Sequence, residues 1–184
     1  SRRDLDQGFD KIRREITQLH SLQYMTLLAY HLRPDQAENF ISRLSMPKRW
    51  AKAVRDIVIA RQVASDLLPS AFPIEVCLSL NRLSLEAVQV AAALEANRVA
   101  QKTIKRYLEE WRRTRPFLTG RDLVNLGAKE GPEVGSLLNT LLEARLTGKT
   151  ATKKEELSLI LRNLENRARP HPHLADRVNR LPME

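Results

Sequence analysis

Residues 118–142 read LTGRDLVNLGAKEGPEVGSLLNTLL, and this stretch predicts two short helices joined by a turn with a glycine at each end. Thr119 is a favourable N-cap for the first helix. Gly127 predicts its end, because the residue that follows a helix often has a positive φ. Gly131 and Pro132 predict the start of the second helix, since proline fits the first helical position. The stretch therefore predicts a helical hairpin.

A turn of this kind offers a site for a phosphate group. The unpaired N–H groups at a helix start and the positive end of the helix dipole both attract anions. Lys129 in the turn and Arg121 in the first helix are candidate cations. Gly135, one turn into the second helix, predicts the close approach of another backbone or of a ligand. The alternative is that Gly127 and Gly131 only allow two helices to turn tightly and pack.

The composition predicts an all-α fold with an aliphatic core. Of the 184 residues, 42% are hydrophobic but only 5% are aromatic. The single cysteine, Cys77, lies among apolar residues and is expected to be a buried thiol rather than a reactive one. No apolar run is long enough for a membrane helix, and the N-terminus is too charged for a signal peptide. We therefore expect a cytoplasmic protein.

Positive charge is concentrated in one part of the chain. The net charge is +9, and residues 98–129 hold nine basic side chains against three acidic ones. Such a cluster indicates a polyanionic partner such as RNA or DNA, although a solvated helix face is the alternative. The candidate RNA-binding residues are Arg98, Lys102, Lys105, Arg106, Arg112, Arg113, Arg115, Arg121, Gly127, Lys129 and Gly131.

Apolar residues recur at helical spacing along most of the chain. They predict helices at about 3–32, 34–44, 47–68, 74–83, 85–97, 98–114, 119–126, 132–142 and 152–167. The predicted organisation is a helical body at 1–115, a helical tail at 116–169 and an extended or disordered C-terminus at 170–184. The expected core positions include Ile59 and Leu161, and Ser84 is the expected N-cap of the helix that follows it.

Residues 116–157, PFLTGRDLVNLGAKEGPEVGSLLNTLLEARLTGKTATKKEEL, resemble the C-terminal tail of the bacterial tRNA nucleotidyltransferase (CCA-adding) and poly(A) polymerase family. Residues 27–50, LLAYHLRPDQAENFISRLSMPKRW, are similar to the body of that family. The matching tail positions are Leu118, Gly120, Asp122, Leu123, Gly127, Gly131, Pro132, Gly135, Leu138, Leu142, Gly148, Thr152, Lys153 and Glu155.

The resemblance implies a tRNA-binding role, because in this family the tail holds the elbow of the tRNA. The basic helix face would follow the sugar-phosphate backbone, and the turn from Gly127 to Gly131 would clamp one phosphate through its N–H groups. Nucleotide addition would take place in a separate catalytic head of the same polypeptide, which holds magnesium and a nucleoside triphosphate. On this interpretation, Lys129→Glu or Arg112→Glu weakens tRNA binding.

The catalytic head itself has no counterpart in the sequence. Asp4 and Asp6 have the spacing of the family's metal-binding pair, but no glycine-rich loop precedes them. His171 and His173 do not cluster with cysteines or acids. We therefore expect no catalytic residue, cofactor or metal in this chain, which should be inactive alone. The alternative function is a helical protein–protein interaction or oligomerisation module without RNA binding.

Overall fold

A computed structural model describes residues 6–8, 10, 20–67 and 70–168. No strand occurs in these ranges, and the all-α prediction is confirmed. A 3-10 turn spans Trp111–Arg113. The α-helices are α1 (Ser21–Ala29), α2 (Pro34–Arg43), α3 (Lys48–Asp66), α4 (Pro73–Leu80), α5 (Leu85–Leu94), α6 (Arg98–Glu109), α7 (Gly120–Asn125), α8 (Pro132–Leu146) and α9 (Lys153–Ala168).

The chain divides into two compact units, Ser1–Arg113 and Thr114–Glu184. Helices α1 to α6 and the 3-10 turn belong to the first unit, and α7 to α9 belong to the second. That the units act as body and tail stays a prediction, and residues 170–184 lie outside the described ranges. Every helix in those ranges is too short or too polar to cross a membrane.

Helix α3 lies at the centre of the first unit, where it packs against α1, α2 and α5. Its Val54 and Ile57 are completely buried and share a core cluster with Ala87 and Ala91 of α5. The small alanine side chains allow the backbones of the two helices to approach closely. The alanine-rich sequence of α5 thus explains its central position.

A buried carboxylate fixes the start of α5. Asp56 Oδ2 accepts a hydrogen bond of 2.6 Å from the Ser84 N–H and one of 2.6 Å from Lys52 Nζ. Ser84 is the N-cap residue as predicted, but its side chain makes no capping hydrogen bond. The expected hydroxyl cap is absent; the carboxylate from α3 instead satisfies the N–H of Ser84 itself and anchors one helix on another.

The predicted continuous helix at 3–32 is wrong at His20. This residue is the N-cap of α1 and has an extended backbone, with φ −85° and ψ 155°. The buried Gln23 holds it there, because Gln23 Oε1 accepts a 2.8 Å bond from the His20 N–H. Gln23 Nε2 in turn donates to Gln89 Oε1 at 2.9 Å, which ties the break to α5. Asp4 and most other residues before His20 lie outside the described ranges.

Two predicted core residues are exposed instead. Ile59 is 49% exposed and Leu161 is 41% exposed. Successive helical residues are about 100° apart, so Ile59 points almost opposite to the buried Ile57. Leu161 likewise turns away from the cluster that contains its neighbour Ile160. Both predictions rest on apolar character alone, whereas a helical residue is buried only if it also lies on the face that packs against the core.

The second unit has its own core, in which α9 closes over α8 as predicted. Leu123, Leu137, Leu141 and Ile160 are buried together. Glu156 of α9 is also completely buried. Its Oε2 accepts hydrogen bonds from the two consecutive N–H groups at positions 117 and 118, at 2.8 and 2.9 Å. One carboxylate therefore ties the beginning of this unit to its last helix.

Candidate nucleic-acid interface

The outward face of α6 carries the first group of candidate residues. Asn97 caps the helix, because its Oδ1 accepts bonds from the N–H groups of Val99 (2.9 Å) and Ala100 (3.4 Å). Ala100, Ile104 and Tyr107 are buried. This buried stripe fixes the rotation of α6, and the basic residues therefore lie on the opposite side. Arg98, Lys102 and Arg106 are exposed, and Lys105 is half-buried.

The basic residues of the first unit differ in how they are paired. Arg106 forms a 3.0 Å ion pair with Glu110, and its guanidinium lies 5.2 Å from the centre of the Trp111 ring. These two contacts partly neutralise and immobilise it. The side chains of Arg98, Lys102 and Arg113, by contrast, have no acidic or hydrogen-bonding partner in the described part of the chain. We call these three exposed cations, two on α6 and one on the 3-10 turn, the free basic surface.

The helix predicted at 98–114 ends earlier than expected. Helix α6 stops at Glu109, and Trp111–Arg113 form a 3-10 turn. Trp111 is only 8% exposed, so its burial holds the turn against the unit. Arg112 and Arg113 are consequently exposed on the turn rather than on the face of α6. The basic residues predicted for one helix are therefore exposed, but they lie on two elements, α6 and the 3-10 turn.

The hairpin in the second unit has the predicted backbone. Thr119 caps α7, and Gly127 follows the end of that helix with φ 101°. Gly131 has φ 103° and is the N-cap of α8, and Pro132 is the first helical residue. Both glycines lie in the left-handed region that other residues rarely adopt. The helix boundaries read from these residues are confirmed.

The predicted phosphate clamp is only partly available. The N–H groups of Gly127 and Ala128 donate to carbonyl oxygens of α7, at 2.9 and 3.0 Å. The Lys129 N–H donates to Glu133 Oε2 at 2.7 Å. The clamp as proposed from sequence is therefore wrong for these three groups, since helix-ending bonds and a side chain already occupy them. The N–H groups of Gly131 and Val134 have no acceptor in the described ranges.

A cleft of about 430 Å³ lies between α7 and the start of α8. Arg121 lines it together with Gly131 and Val134, so a cation and the first turn of α8 border the same cleft. Lys129 is exposed but does not line the cleft. Arg115 is exposed, and its guanidinium donates to the Thr114 carbonyl at 2.8 Å. The cleft residues are Gly120, Arg121, Val124, Asn125, Glu130, Gly131 and Val134.

No cluster of three or more histidine, cysteine or acidic side chains suited to a metal occurs in the described ranges. Asp4, His171 and His173 lie outside them. No site for magnesium is therefore assigned to the described residues.

Gly131 and Gly135 should respond in opposite ways to substitution by alanine. Gly131→Ala forces a side chain into the left-handed region and should lower the free energy of unfolding by about 1–3 kcal/mol. A Cβ at Gly135 would meet no atom within 4 Å, so Gly135→Ala should raise stability by about 0.5–1 kcal/mol. The predicted approach of another backbone to Gly135 is thus wrong, whereas the predicted approach of a ligand stays a prediction. Urea denaturation measures both changes, and equal destabilisation by both variants would contradict this assignment.

Asp122 should stabilise α7 only while it is ionised. The Thr119 N–H (2.7 Å), then the Thr119 hydroxyl (2.8 Å) and the Lys153 charge hold the pKa of Asp122 below its usual range. The folded pKa is lower than the unfolded one, so this stabilisation is complete above the unfolded pKa. It is lost as the pH falls through the folded pKa. Carboxyl NMR titration should show the lowered pKa, and Asp122→Asn should remove this part of the acid dependence; an ordinary pKa would refute it.

Comparison with known proteins identifies the chain's relatives. A CC-adding tRNA nucleotidyltransferase of Thermus thermophilus is 33% identical over 132 residues, which are 66% of this chain and 27% of that protein. The chain therefore spans about a quarter of the length of this curated relative. No solved structure matches the chain significantly. The model of the family described as tRNA nucleotidyltransferase domain 2 matches residues 19–161, and because this match takes in most of the sequence, the chain belongs to the tRNA nucleotidyltransferase family.

Proposed function

We propose that this chain is the tRNA-binding part of a tRNA nucleotidyltransferase or poly(A) polymerase. It holds the backbone and elbow of the tRNA, while a catalytic head elsewhere in the same polypeptide adds nucleotides to the 3' end. The family match supports this proposal, and so does the name of the relative, which is a CC-adding enzyme. The chain corresponds to 27% of that relative, which leaves most of the longer protein to supply the chemistry.

The observation that carries the proposal is the free basic surface on the first unit. Arg98 and Lys102 lie one helical turn apart on α6, and Arg113 follows on the 3-10 turn. Cations of this kind contact phosphate oxygens and fix the position of a nucleic acid without reading its sequence. Contacts of this kind depend on shape and phosphates and carry little sequence information, which suits the role of holding a folded tRNA.

The cleft between α7 and α8 gives a second point of contact. Arg121 supplies a cation, and the N–H groups of Gly131 and Val134 lie at the positive end of the α8 dipole. Glu130 lines the same cleft and Glu133 caps the turn next to it, so the site is less positive than the sequence suggests. We therefore assign the larger share of the affinity to the free basic surface.

Binding to a folded tRNA tests the proposal directly. In size-exclusion chromatography, the chain should elute earlier with tRNA than alone, and filter binding should give a Kd on the order of micromolar at physiological salt. Raising the salt concentration should weaken the complex steeply, because each neutralised phosphate releases counterions. If the chain associates with itself and does not bind tRNA, it is the helical interaction module instead, and the proposal fails.

A further inference from the structure

One exposed aromatic side chain of the second unit rests on a cation. Phe117 is 46% exposed. The guanidinium carbon of Arg145, on α8, lies 4.0 Å from the centre of the Phe117 ring. A carbon in contact with the edge of the ring would lie farther from the centre, so the guanidinium covers one face of the ring. The exposed area of the ring therefore lies on its edge and on its other face.

The support under this ring is itself anchored. The Arg145 side chain is only 22% exposed, and its Nη1 lies 3.8 Å from Oε1 of the completely buried Glu156. The same carboxylate holds the backbone of Phe117, because Glu156 Oε2 accepts the Phe117 N–H at 2.8 Å. The next residue, Leu118, is buried in the core of the unit. Both the backbone and the ring of Phe117 are thus held in place by the protein alone.

This support distinguishes Phe117 from the more exposed Phe72. Single exposed apolar residues are normal on a protein surface and need no function. Phe72 is 62% exposed, but its ring has no cation or aromatic partner in the described ranges. Phe117, by contrast, presents a flat apolar surface that is already ordered. A ligand that stacks on it therefore costs little additional side-chain freedom.

The residues around Phe117 in the sequence favour a nucleic-acid base as that ligand. Arg115 and Arg121 lie on either side of it in the chain, and both are exposed in the same unit. Proteins that bind unpaired RNA combine such cations with aromatic rings on which the bases stack. Phe117 was not among the predicted RNA-binding residues, because its sequence neighbours do not show that Arg145 supports the ring.

We propose that Phe117 is a stacking platform for an unpaired base of the bound RNA. The base lies on the open face of the ring, and Arg145 supports the opposite face. Every base has a π face, so the contact does not select a sequence. This inference rests on the proposed function, since RNA supplies the base. It adds a base contact, which needs no charge, to the phosphate contacts of the basic residues.

Phe117→Leu keeps an apolar side chain over Arg145 but removes the aromatic face. In filter binding with a folded tRNA, this variant should bind about tenfold more weakly, because base stacking is lost. Its slope of log Kobs against log salt concentration should equal that of the wild type, since stacking releases no counterions. Phe72→Leu is the control and should change the affinity less than about twofold. Equal losses for the two variants, or a lowered salt slope in Phe117→Leu, would overturn the platform.

Phe117→Trp separates stacking from a purely structural role of the ring. Tryptophan has a larger π face, so this variant should bind tRNA at least as tightly as the wild type. Its fluorescence should be quenched by tRNA beyond any change in the wild type, in which Trp50 and Trp111 give the background. Suppose instead that Phe117→Leu unfolds at a lower temperature and that Phe117→Trp shows no additional quenching. The ring would then only cover the Arg145–Glu156 pair, and the proposal would be overturned.

An RNA oligomer without bases tests the class of ligand. Phe117→Leu should bind oligoadenylate several times more weakly than the wild type does, but it should bind an abasic ribose-phosphate oligomer of the same length equally well. Equal weakening for both oligomers would show that the ring contacts no base. If Phe117→Leu loses self-association in size-exclusion chromatography and keeps its tRNA affinity, the ring belongs to a protein contact and the platform is overturned. In that case the proposed function stands; if the wild type does not bind tRNA, both fail.

Discussion

Glu156→Ala should lower the free energy of unfolding of the second unit by about 3–5 kcal/mol, since removing one partner of a buried charge network leaves the others unsatisfied. Glu156 is completely buried, and its Oε2 accepts the N–H groups of Phe117 and Leu118. Arg145 Nη1 lies 3.8 Å from the other carboxylate oxygen, and its guanidinium lies 4.0 Å from the centre of the Phe117 ring. Alanine at this position would leave two N–H groups without an acceptor and a largely buried arginine without its acidic partner.

Glu155→Ala is the matched control for this substitution. Glu155 precedes Glu156 on α9 and also accepts two N–H bonds, but it is exposed to solvent. Water can replace its bonds, so its loss should be much smaller. Glu156→Gln keeps an acceptor for the two N–H groups and should fall between the two alanine variants. Denaturant unfolding measures all three, and equal stabilities of the two alanine variants would show that the buried carboxylate is not an anchor.

The second large effect should be on binding rather than on stability. Reversing Arg98, Lys102 and Arg113 to glutamate should weaken the complex with folded tRNA by about a hundredfold at low salt, because three phosphate contacts become repulsive. All three side chains are exposed and unpaired within the described ranges. The fold should therefore remain intact, which circular dichroism and thermal unfolding can check.

A control with the same change in net charge separates position from total charge. Arg43, Lys48 and Arg82 are also exposed in the first unit, and they lie outside the α6 and 3-10 surface. Their reversal to glutamate should weaken binding less than about tenfold, through long-range repulsion alone. If both triple variants lose the same affinity, the chain responds to net charge and has no defined surface for RNA.

The hairpin could be predicted from sequence because its signals are local. Gly127 and Gly131 favour a positive φ, and Pro132 after a glycine favours a helix start, so three residues predict the helix boundaries within one or two positions. The amphipathic face of α6 was predictable for a similar reason, since one apolar stripe decides which residues point outward. Family resemblance then supplied the role, which local patterns could not give.

The features that sequence missed depend on contacts between distant residues. Glu156 looks like its exposed neighbour in a charged run, and only the N–H groups 38 and 39 residues earlier make it a buried anchor. No proline or glycine marks the helix break at His20 in the sequence. The break is held instead by the side chain of the buried Gln23. The Lys129 N–H was expected to be open, but the carboxylate of Glu133 occupies it. Partners of this kind are known only once the fold is known.

The salt dependence of tRNA binding shows whether the free basic surface contacts the RNA backbone. Filter binding of the wild type, the Arg98/Lys102/Arg113 variant and the Arg43/Lys48/Arg82 control gives the slope of log Kobs against log salt concentration for each. The first variant should lose about 2 to 3 units of slope, close to one per phosphate contact, while the control keeps the wild-type slope. Identical slopes for all three proteins would contradict the proposal that the free basic surface contacts the RNA backbone.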